Sequence, residues 1–298
     1  MISIITTTYN RSELIKDLYK SLCLQKDKDF EWVIIDDGST DDTMEKISQW
    51  EKENLIKIDY FYQNNQGKHI ALNHAFDKIK TQFCINIDSD DCLDENAVYL
   101  LNKCIEQLDW TNIWAIVGPR VHTDGSLERK WKAKELNNIK FAQLYSKYDY
   151  KGETYILLNM EYIKDKRFPS FENEKLVPEN YLYDLMDKDY WIKPISNTIC
   201  ISDYRNDGYT KNKTSTLVKS PCGAALANIS SASNSYNGLF KCALAYSRYL
   251  SIIKVFNLNK DIGKDYKVSI ICRFYTKLIY PLMYNKYKRK TLCEKTSN

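Results

Sequence analysis

The sequence predicts an α/β fold: a Rossmann-like, mostly parallel central sheet flanked by helices, with a helical extension at its C-terminal end. Two observations predict the sheet. Over residues 1–110 an apolar run, a polar cluster and a helical pattern recur in that order, which is the alternation of a doubly wound parallel sheet. The apolar runs are short and rich in Ile, so they suit buried strands. A third observation predicts the extension: from residue 215 the alternation gives way to a helical stretch over 239–256 and a basic tail. The reading divides the chain at 1–110, 111–214 and 215–298.

Taken in order, "ISIIT" reads as the first strand and leads through "TTYNR" into a helix with Leu14, Ile15, Leu18 and Leu22 on one face. "WVII" is the second strand and ends at "DDGSTDD", where Ser39 and Asp42 have the offset of a helix N-cap and its partner. "IKIDYFY" leads to "QNNQGKH" and the helical "IALNHAF". "FCINI" leads to "DSDD" and then a helix carrying Val98, Leu101, Ile105 and Leu108. Beyond it, "IWAIVGP" and "GETYILL" read as strands, and "HTDGS" has the Asp-Gly chemistry of a tight turn. "PENYLYDLMDKDY" reads as a helix with Pro178 in its first turn. In the helical stretch over 239–256, Lys241, Arg248, Ser251 and Lys254 fall on one arc, which Leu244 and Val255 interrupt.

In a parallel sheet the carboxyl ends of the strands lie along one edge, where ligands bind. Thr8–Asn10, Asp36–Asp37, Asn65–Lys68 and Asp88–Asp91 are therefore expected to converge. Asp88, Asp90 and Asp91 would repel one another without cations among them. Asp-x-Asp at a strand end offers hard oxygen ligands suited to Mg2+ or Mn2+, which keep several waters and are completed by phosphates. Asp90 is the first choice of ligand, with Asp88 either joining it or orienting its neighbours. A solvated turn is the plain alternative, and Asp91 suits a cap on the next helix.

Composition narrows the classes. Hydrophobic residues make up 44% and charged residues 28% of the 298, as in an ordinary globular protein. The nine Cys form no Cys-x-x-Cys pair and there are three His, which argues against structural zinc and c-type haem. "MISIITTTYN" reads as a first strand and not a leader, so the thiols are expected to be reduced and the protein cytoplasmic. No run approaches the roughly 20 apolar residues that span a bilayer. The net charge of +4 divides into +7 over residues 264–298 and −3 over the rest. That division points to an anionic partner for the tail alone, with no nucleic acid.

The ordered set "TTTYNR", "FEWVIIDDGSTDDT", "NNQGKHIALNHAF", "NIDSDDCL", "KGETYILL", "FPSFENEKLVPENYLYDL", "ISDYRNDGYT" and "SPCGAALAN" resembles a family 2 glycosyltransferase of the glycosyltransferase A fold, in its bacterial capsular and surface-polysaccharide branch. The resemblance spans roughly residues 1–230. It implies a metal-dependent, inverting hexosyl- or N-acetylhexosaminyltransferase that takes a UDP-sugar donor and a glycan acceptor, lipid-linked in this branch. It makes 1–110 the nucleotide-sugar half and 111–214 the acceptor and catalytic-base half. Thr8, Tyr9, Asn10, Asp36, Asp37, Gly67, Lys68, Asp88 and Ser89 would hold the nucleotide. Among them, Tyr9 stacks on the base, Asp37 accepts from uracil or ribose, and Lys68 approaches base or diphosphate. Asp90 would hold Mn2+ or Mg2+. The catalytic base falls in "VPEN" at Glu179, with Glu174 as the alternative. Leu72 stands where many relatives carry Arg, and Glu153 after Gly152 stands where the family has Asp. Tyr204 and Gly208 align with an acceptor-side segment. A helix-terminal charge is the competing reading of either glutamate; His69 and His74, five apart, do not read as a shared metal site, and His69 reads as a structural histidine in preference to one facing the diphosphate.

A lipid-linked acceptor calls for access to the inner face of the membrane. The tail "RFYTKLIYPLMYNKYKRK" suits peripheral attachment to an anionic surface or a packed terminal helix with a solvated basic end. Two other functions use similar residues. One is a non-catalytic sugar-nucleotide-binding protein. The other is a Mg-dependent phosphatase using the Asp-Ser-Asp motif, although there the motif ordinarily follows an earlier strand.

Overall fold

The computed structural model describes residues 1–127, 130–131, 136–202 and 218–295, with side chains to residue 291. The chain forms two compact units that alternate along the sequence. The first comprises Met1–Ile139, Tyr150–Lys166 and Tyr190–Tyr204, the second Lys140–Asp149, Arg167–Asp189 and Arg205–Asn298.

The first unit is built on a seven-stranded sheet. Its elements are β1 (Ile2–Thr8), α1 (Ile15–Cys23), β2 (Phe30–Asp36), α2 (Thr43–Glu53), β3 (Ile58–Tyr62), α3 (Lys68–Lys78) and β4 (Phe83–Asn86). There follow the short β5 (Cys92–Leu93), α4 (Ala97–Gln107) and β6 (Ile113–Pro119); later segments add β7 (Thr154–Asn159), the one-turn α6 (Met160–Ile163), β8 (Trp191–Pro194) and β9 (Cys200–Ile201). The sheet order is β3-β2-β1-β4-β7-β6-β8, and β5 pairs with β9 beside it. Parallel pairing joins β1 to β2 and β4, β2 to β3, and β6 to β8, while β7 is antiparallel to both neighbours. The sheet is therefore mostly parallel, as the alternation predicts.

Central strands carry apolar residues on both faces because helices cover both: every residue of β2 is buried. Ile15, Leu18 and Leu22 of α1 pack into the core with Trp32, and fully burying each such side chain contributes about 1.5–3 kcal/mol. Trp32 keeps its indole N–H satisfied by donating to Thr6 Oγ1 at 3.0 Å. Tyr19 and Trp50 stack at 4.2 Å between centroids and close that side.

Several local expectations need correction. Ser39 does not cap α2, which starts at Thr43; its hydroxyl accepts from the Asn10 N–H at 2.9 Å, and Asp41 accepts from the Thr43 N–H. Asp91 does not cap the next helix, because β5 intervenes. The turn into α4 instead uses Asp94, whose carbonyl accepts from Ala97 N and whose carboxylate accepts from Asn96 N. Pro178 lies two residues before the helix Asn180–Asp189 and not inside it. The Asp-Gly turn is present, with Gly125 at φ +79° and Val121 bridged antiparallel to Leu127.

The second unit is helical among its described residues: α5 (Phe141–Ser146), α7 (Asn180–Asp189), α8 (Pro221–Ser233), a 3-10 turn over Ser235–Asn237, α9 (Leu239–Val255) and α10 (Ile270–Lys295). Two buried carboxylates organise it. Asp187 accepts from the backbone N–H of Phe141 at 2.6 Å and of Ala142 at 2.7 Å, so it caps α5 from a distance. Asp184 accepts from Ser231, Asn234 and Asn237. Burial pushes both carboxyls up, Asp187 to about 6. The arc expected on α9 is broken, since Ser251 is buried and donates to the Ser247 carbonyl. Along α10, Cys272, Thr276 and Tyr287 are buried, and the opposite face exposes Ile270, Ile271, Phe274, Leu278 and Leu282. No helix among the described residues is long and apolar enough to cross a membrane.

Candidate functional site

The carboxyl ends of β1, β2, β3 and β4 meet at one edge, and backbone hydrogen bonds tie them together. Asp37 N–H donates to the Thr8 carbonyl at 2.8 Å, Gln63 N–H to Asp36 at 2.9 Å, and Ile87 N–H to Ile5 at 2.9 Å. All four polar clusters expected from the sequence come together there. Thr8 is buried, and its Oγ1 has no hydrogen-bond partner among the described residues. Tyr9, next in sequence, is 47% exposed, so one face of its ring is available for stacking. Asn10 sits at φ +51° and reaches the loop after β2, its Oδ1 accepting from Thr40 N–H at 2.7 Å.

The acidic pair at the end of β2 is turned inward. Asp36 accepts from Ser39 N–H at 2.7 Å and Tyr60 O–H at 2.8 Å. Asp37 accepts from Gln63 Nε2 at 2.7 Å and Gln66 N–H at 2.8 Å on Oδ1, and from Gly67 N–H at 2.7 Å on Oδ2. A carboxylate offers about four lone-pair sites, so Asp37 keeps roughly one acceptor position on Oδ2. Gly38 must be glycine: φ is +86°, and a Cβ would come within 2.8 Å of the Asn65 backbone nitrogen. That close approach brings the loop 65–67 against Asp37 and delivers Gly67, at φ +93°, as the N-cap of α3.

In the "DSDD" segment each carboxylate has its own basic partner. Lys68 Nζ lies 2.7 Å from Asp88 Oδ1, Arg11 Nη1 3.0 Å from Asp90 Oδ1, and Arg120 Nη1 2.5 Å from Asp91 Oδ2. Arg120 also reaches towards Asp88 at 4.0 Å and Glu153 at 3.8 Å, and its Nε donates to the Thr154 carbonyl. Burial pulls the Asp88 carboxyl up, but Lys68, Arg120 and Arg11 outweigh it and hold the group below the usual carboxylate range. Burial, with Asp88, Asp90 and Glu153 nearby, raises Asp91 to about 7 against the pull of Arg120. Ser89 is buried between them in sequence.

Asp88 and Asp90 fit a hard divalent ion by the chemistry of their donors, which are carboxylate oxygens. Among the described residues no group of three or more His, Cys, Asp or Glu side chains is arranged to hold a metal. Two carboxylates with water and phosphate oxygens make a set that Mg2+ and Mn2+ accept. His74 Nδ1 pairs with Gln63 Oε1 at 3.0 Å, and His69 is buried. Gly152 stands against Tyr150, whose hydroxyl donates to the Glu153 carbonyl. Leu72 is buried in α3.

Glu174 and Glu179 belong to the second unit. Both oxygens of Glu174 are engaged at the start of α8, accepting from Cys222 N–H at 2.8 Å and Gly223 N–H at 2.9 Å. Glu179 lies just before α7 and is half-buried, with Oε2 accepting from Tyr183 O–H at 2.9 Å. Tyr204 and Gly208 lie outside the described residues. Arg11 and Arg120 carry no role expected from the sequence alone. Arg11 closes the quoted "TTTYNR" and Arg120 follows "IWAIVGP", and a basic residue just past a strand end in such a sheet is the signal for both.

Comparison with known proteins places this architecture. The sequence matches the family model described as "Glycosyl transferase family 2" over residues 3–165. It is 27% identical over 173 residues to the GalNAc(5)-diNAcBac-PP-undecaprenol beta-1,3-glucosyltransferase of Campylobacter jejuni, covering 56% of this chain and 54% of that one. It is 34% identical over 92 residues to the putative teichuronic acid biosynthesis glycosyltransferase TuaG of Bacillus subtilis, covering 30% and 36%. The matched part thus spans about half or less of these relatives' own length. In structure it is similar to residues 1–349 of TarS from S. aureus in complex with UDP-GlcNAc, with TM-score 0.61, 17% identity, and coverage of 100% of this chain and 92% of that one. The mannosyltransferase PcManGT of Pyrobaculum calidifontis, in complex with GDP-Man and Mn2+, matches with TM-score 0.55 at 15% identity over 99% and 87%.

Proposed function

The chain belongs to glycosyl transferase family 2 and has the glycosyltransferase A fold, and from that premise we propose that it transfers a sugar from a UDP-sugar, with inversion, to a hydroxyl of a glycan acceptor in surface-polysaccharide synthesis. The observation that carries this reading is the convergence of Tyr9, Asp37, Lys68 and the Asp88–Asp90 carboxylates at one sheet edge. The exposed Tyr9 ring stacks on the base. The remaining acceptor position of Asp37 takes the uracil N–H or a ribose hydroxyl. Lys68, at the start of α3, binds the diphosphate, and the positive end of the helix dipole favours the same anion. Asp90, with Asp88, would hold Mn2+ or Mg2+, and such an ion supplies Lewis-acid neutralisation of the leaving diphosphate.

Inversion needs a carboxylate that takes the acceptor proton opposite the leaving group. We assign that role to Glu179 in preference to Glu174, because both oxygens of Glu174 are occupied by backbone N–H groups. The acceptor is lipid-linked in this reading. The exposed apolar stripe of α10, flanked by Arg273, Lys277, Lys286 and Lys288, supports peripheral contact of residues 264–298 with an anionic membrane.

The test is UDP release from a panel of UDP-hexoses and their N-acetyl forms with Mn2+, Mg2+ or EDTA, beside Asp90→Ala. Metal-dependent release from one donor, lost in the variant, is expected. If neither turnover nor calorimetric UDP binding occurs with metal present, the reading is wrong. UDP binding without turnover on any acceptor would favour a sugar-nucleotide-binding protein.

A further inference from the structure

We propose that Arg11 couples divalent-ion binding to donor binding: its guanidinium competes with the ion for Asp90 and, once the ion takes that carboxylate, pairs with the donor diphosphate. The proposal deepens the donor-site reading above and rests on it. Its basis is the one-to-one pairing of the acidic segment, Lys68 with Asp88, Arg11 with Asp90 and Arg120 with Asp91. An arginine keeps its charge at any pH the protein meets. An ion taken up by itself must therefore draw Asp90 away from Arg11 and leave a guanidinium beside a new dication. A diphosphate arriving with the ion changes that balance, since its two ionised phosphate groups offset the charge of the ion and offer the guanidinium new anionic oxygens. The guanidinium fork also suits paired phosphate oxygens.

The three basic residues differ in their freedom to make this exchange. Arg120 is held by a second bond to the Thr154 carbonyl and packed among Asp88, Asp91 and Glu153, so it stays with Asp91. Arg11 is anchored through its backbone, whose carbonyl accepts from Leu14 N–H at 3.0 Å and Ile15 N–H at 3.1 Å. Its side chain can change partners without moving the start of α1. It also follows Tyr9 by two positions, on the same strand-end segment as the base-stacking ring.

Linkage makes the coupling reciprocal: whatever UDP does for Mn2+ affinity, Mn2+ does for UDP affinity. The experiment uses the full chain and titrates Mn2+ alone by electron paramagnetic resonance, and UDP with and without Mn2+ by calorimetry. It compares wild type with Arg11→Met and Arg11→Lys. Arg11→Met is expected to bind Mn2+ alone about fivefold more tightly, and UDP in the presence of Mn2+ about fivefold more weakly, on the scale of one partly exposed ion pair. Arg11→Lys is expected to keep most of the wild-type coupling. A general structural defect cannot move the two affinities in opposite directions. Arg11→Met changing neither affinity by twofold, or weakening both, would overturn the proposal. A wild-type chain that binds neither UDP nor Mn2+ would instead overturn the donor-site reading, and this proposal with it.

Discussion

Replacing Asp37 by Asn tests whether the loop that presents Lys68 is built by one carboxylate. Asp37 serves three donors, Gln63 Nε2 and Gln66 N–H on one oxygen and Gly67 N–H on the other. An amide can satisfy only one side. Turning its oxygen towards the pair leaves its NH2 facing the Gly67 N–H; turning it the other way strands two donors. The first arrangement is therefore adopted, and it strands one buried N–H at a cost of about 1–3 kcal/mol. The two bonds that remain lose their charge assistance, about 1 kcal/mol more. The sum is about 2–4 kcal/mol, and it falls on residues 63–68. Two measurements follow: the urea midpoint, and hydrogen exchange of a peptide covering 63–70. Asp37→Asn should lower the midpoint and speed exchange in that peptide. It should also weaken UDP binding, because Lys68 follows Gly67 directly. A variant whose midpoint and 63–70 exchange match wild type would refute the reasoning and return Asp37 to a purely ligand-facing role.

Three further outcomes are expected. Glu179→Gln keeps an acceptor for Tyr183, and turnover should fall about 100-fold or more in a variant that still folds by circular dichroism; Glu174→Gln should lose about 1–3 kcal/mol at the α8 N-terminus with little separate effect on turnover. The reverse pattern would move the base to Glu174. Tyr9→Ala should leave the melting temperature unchanged, because the ring is 47% exposed, and weaken UDP binding by about 1–3 kcal/mol, the range for base stacking; unchanged calorimetric affinity would place the base elsewhere. Asp187 titrates near 6 in the folded chain, above its ordinary value of 3.8, so its contribution to stability is full below about pH 4 and is lost as pH rises through 6. That loss is about 3 kcal/mol, and Asp187→Asn should flatten the pH–stability curve between those limits; an unaltered curve would show that Asp187 does not set it.

The parts of this fold that were legible in the sequence are those for which position along the chain dictates position in space. A parallel sheet puts strand ends on one edge, so Thr8–Asn10, Asp36–Asp37, Asn65–Lys68 and Asp88–Asp91 were bound to meet once the strands were recognised. What each side chain does there depends on partners that no local pattern marks. Asp91 looks like a helix cap because Asp commonly is one; only the pairing of Cys92–Leu93 with Cys200–Ile201 and the arrival of Arg120 make it half of an ion pair. Ser39 has the spacing of a cap, yet its hydroxyl is claimed by Asn10, an offset of 29 residues. In the helical unit, Asp184 and Asp187 fall on the arc of α7 opposite Tyr181, Leu182, Leu185 and Met186, the side that a helical pattern gives to solvent. They are buried because Asn234, Ser231 and the α5 N-terminus supply their hydrogen bonds. Periodicity registers apolar area, whereas a polar interior is fixed by satisfied donors and acceptors brought from distant segments. The same distinction separates the two halves of the donor site. Tyr9 and the carboxylates announce themselves by type and place, while Arg11 acquires meaning only from its 3.0 Å separation from Asp90.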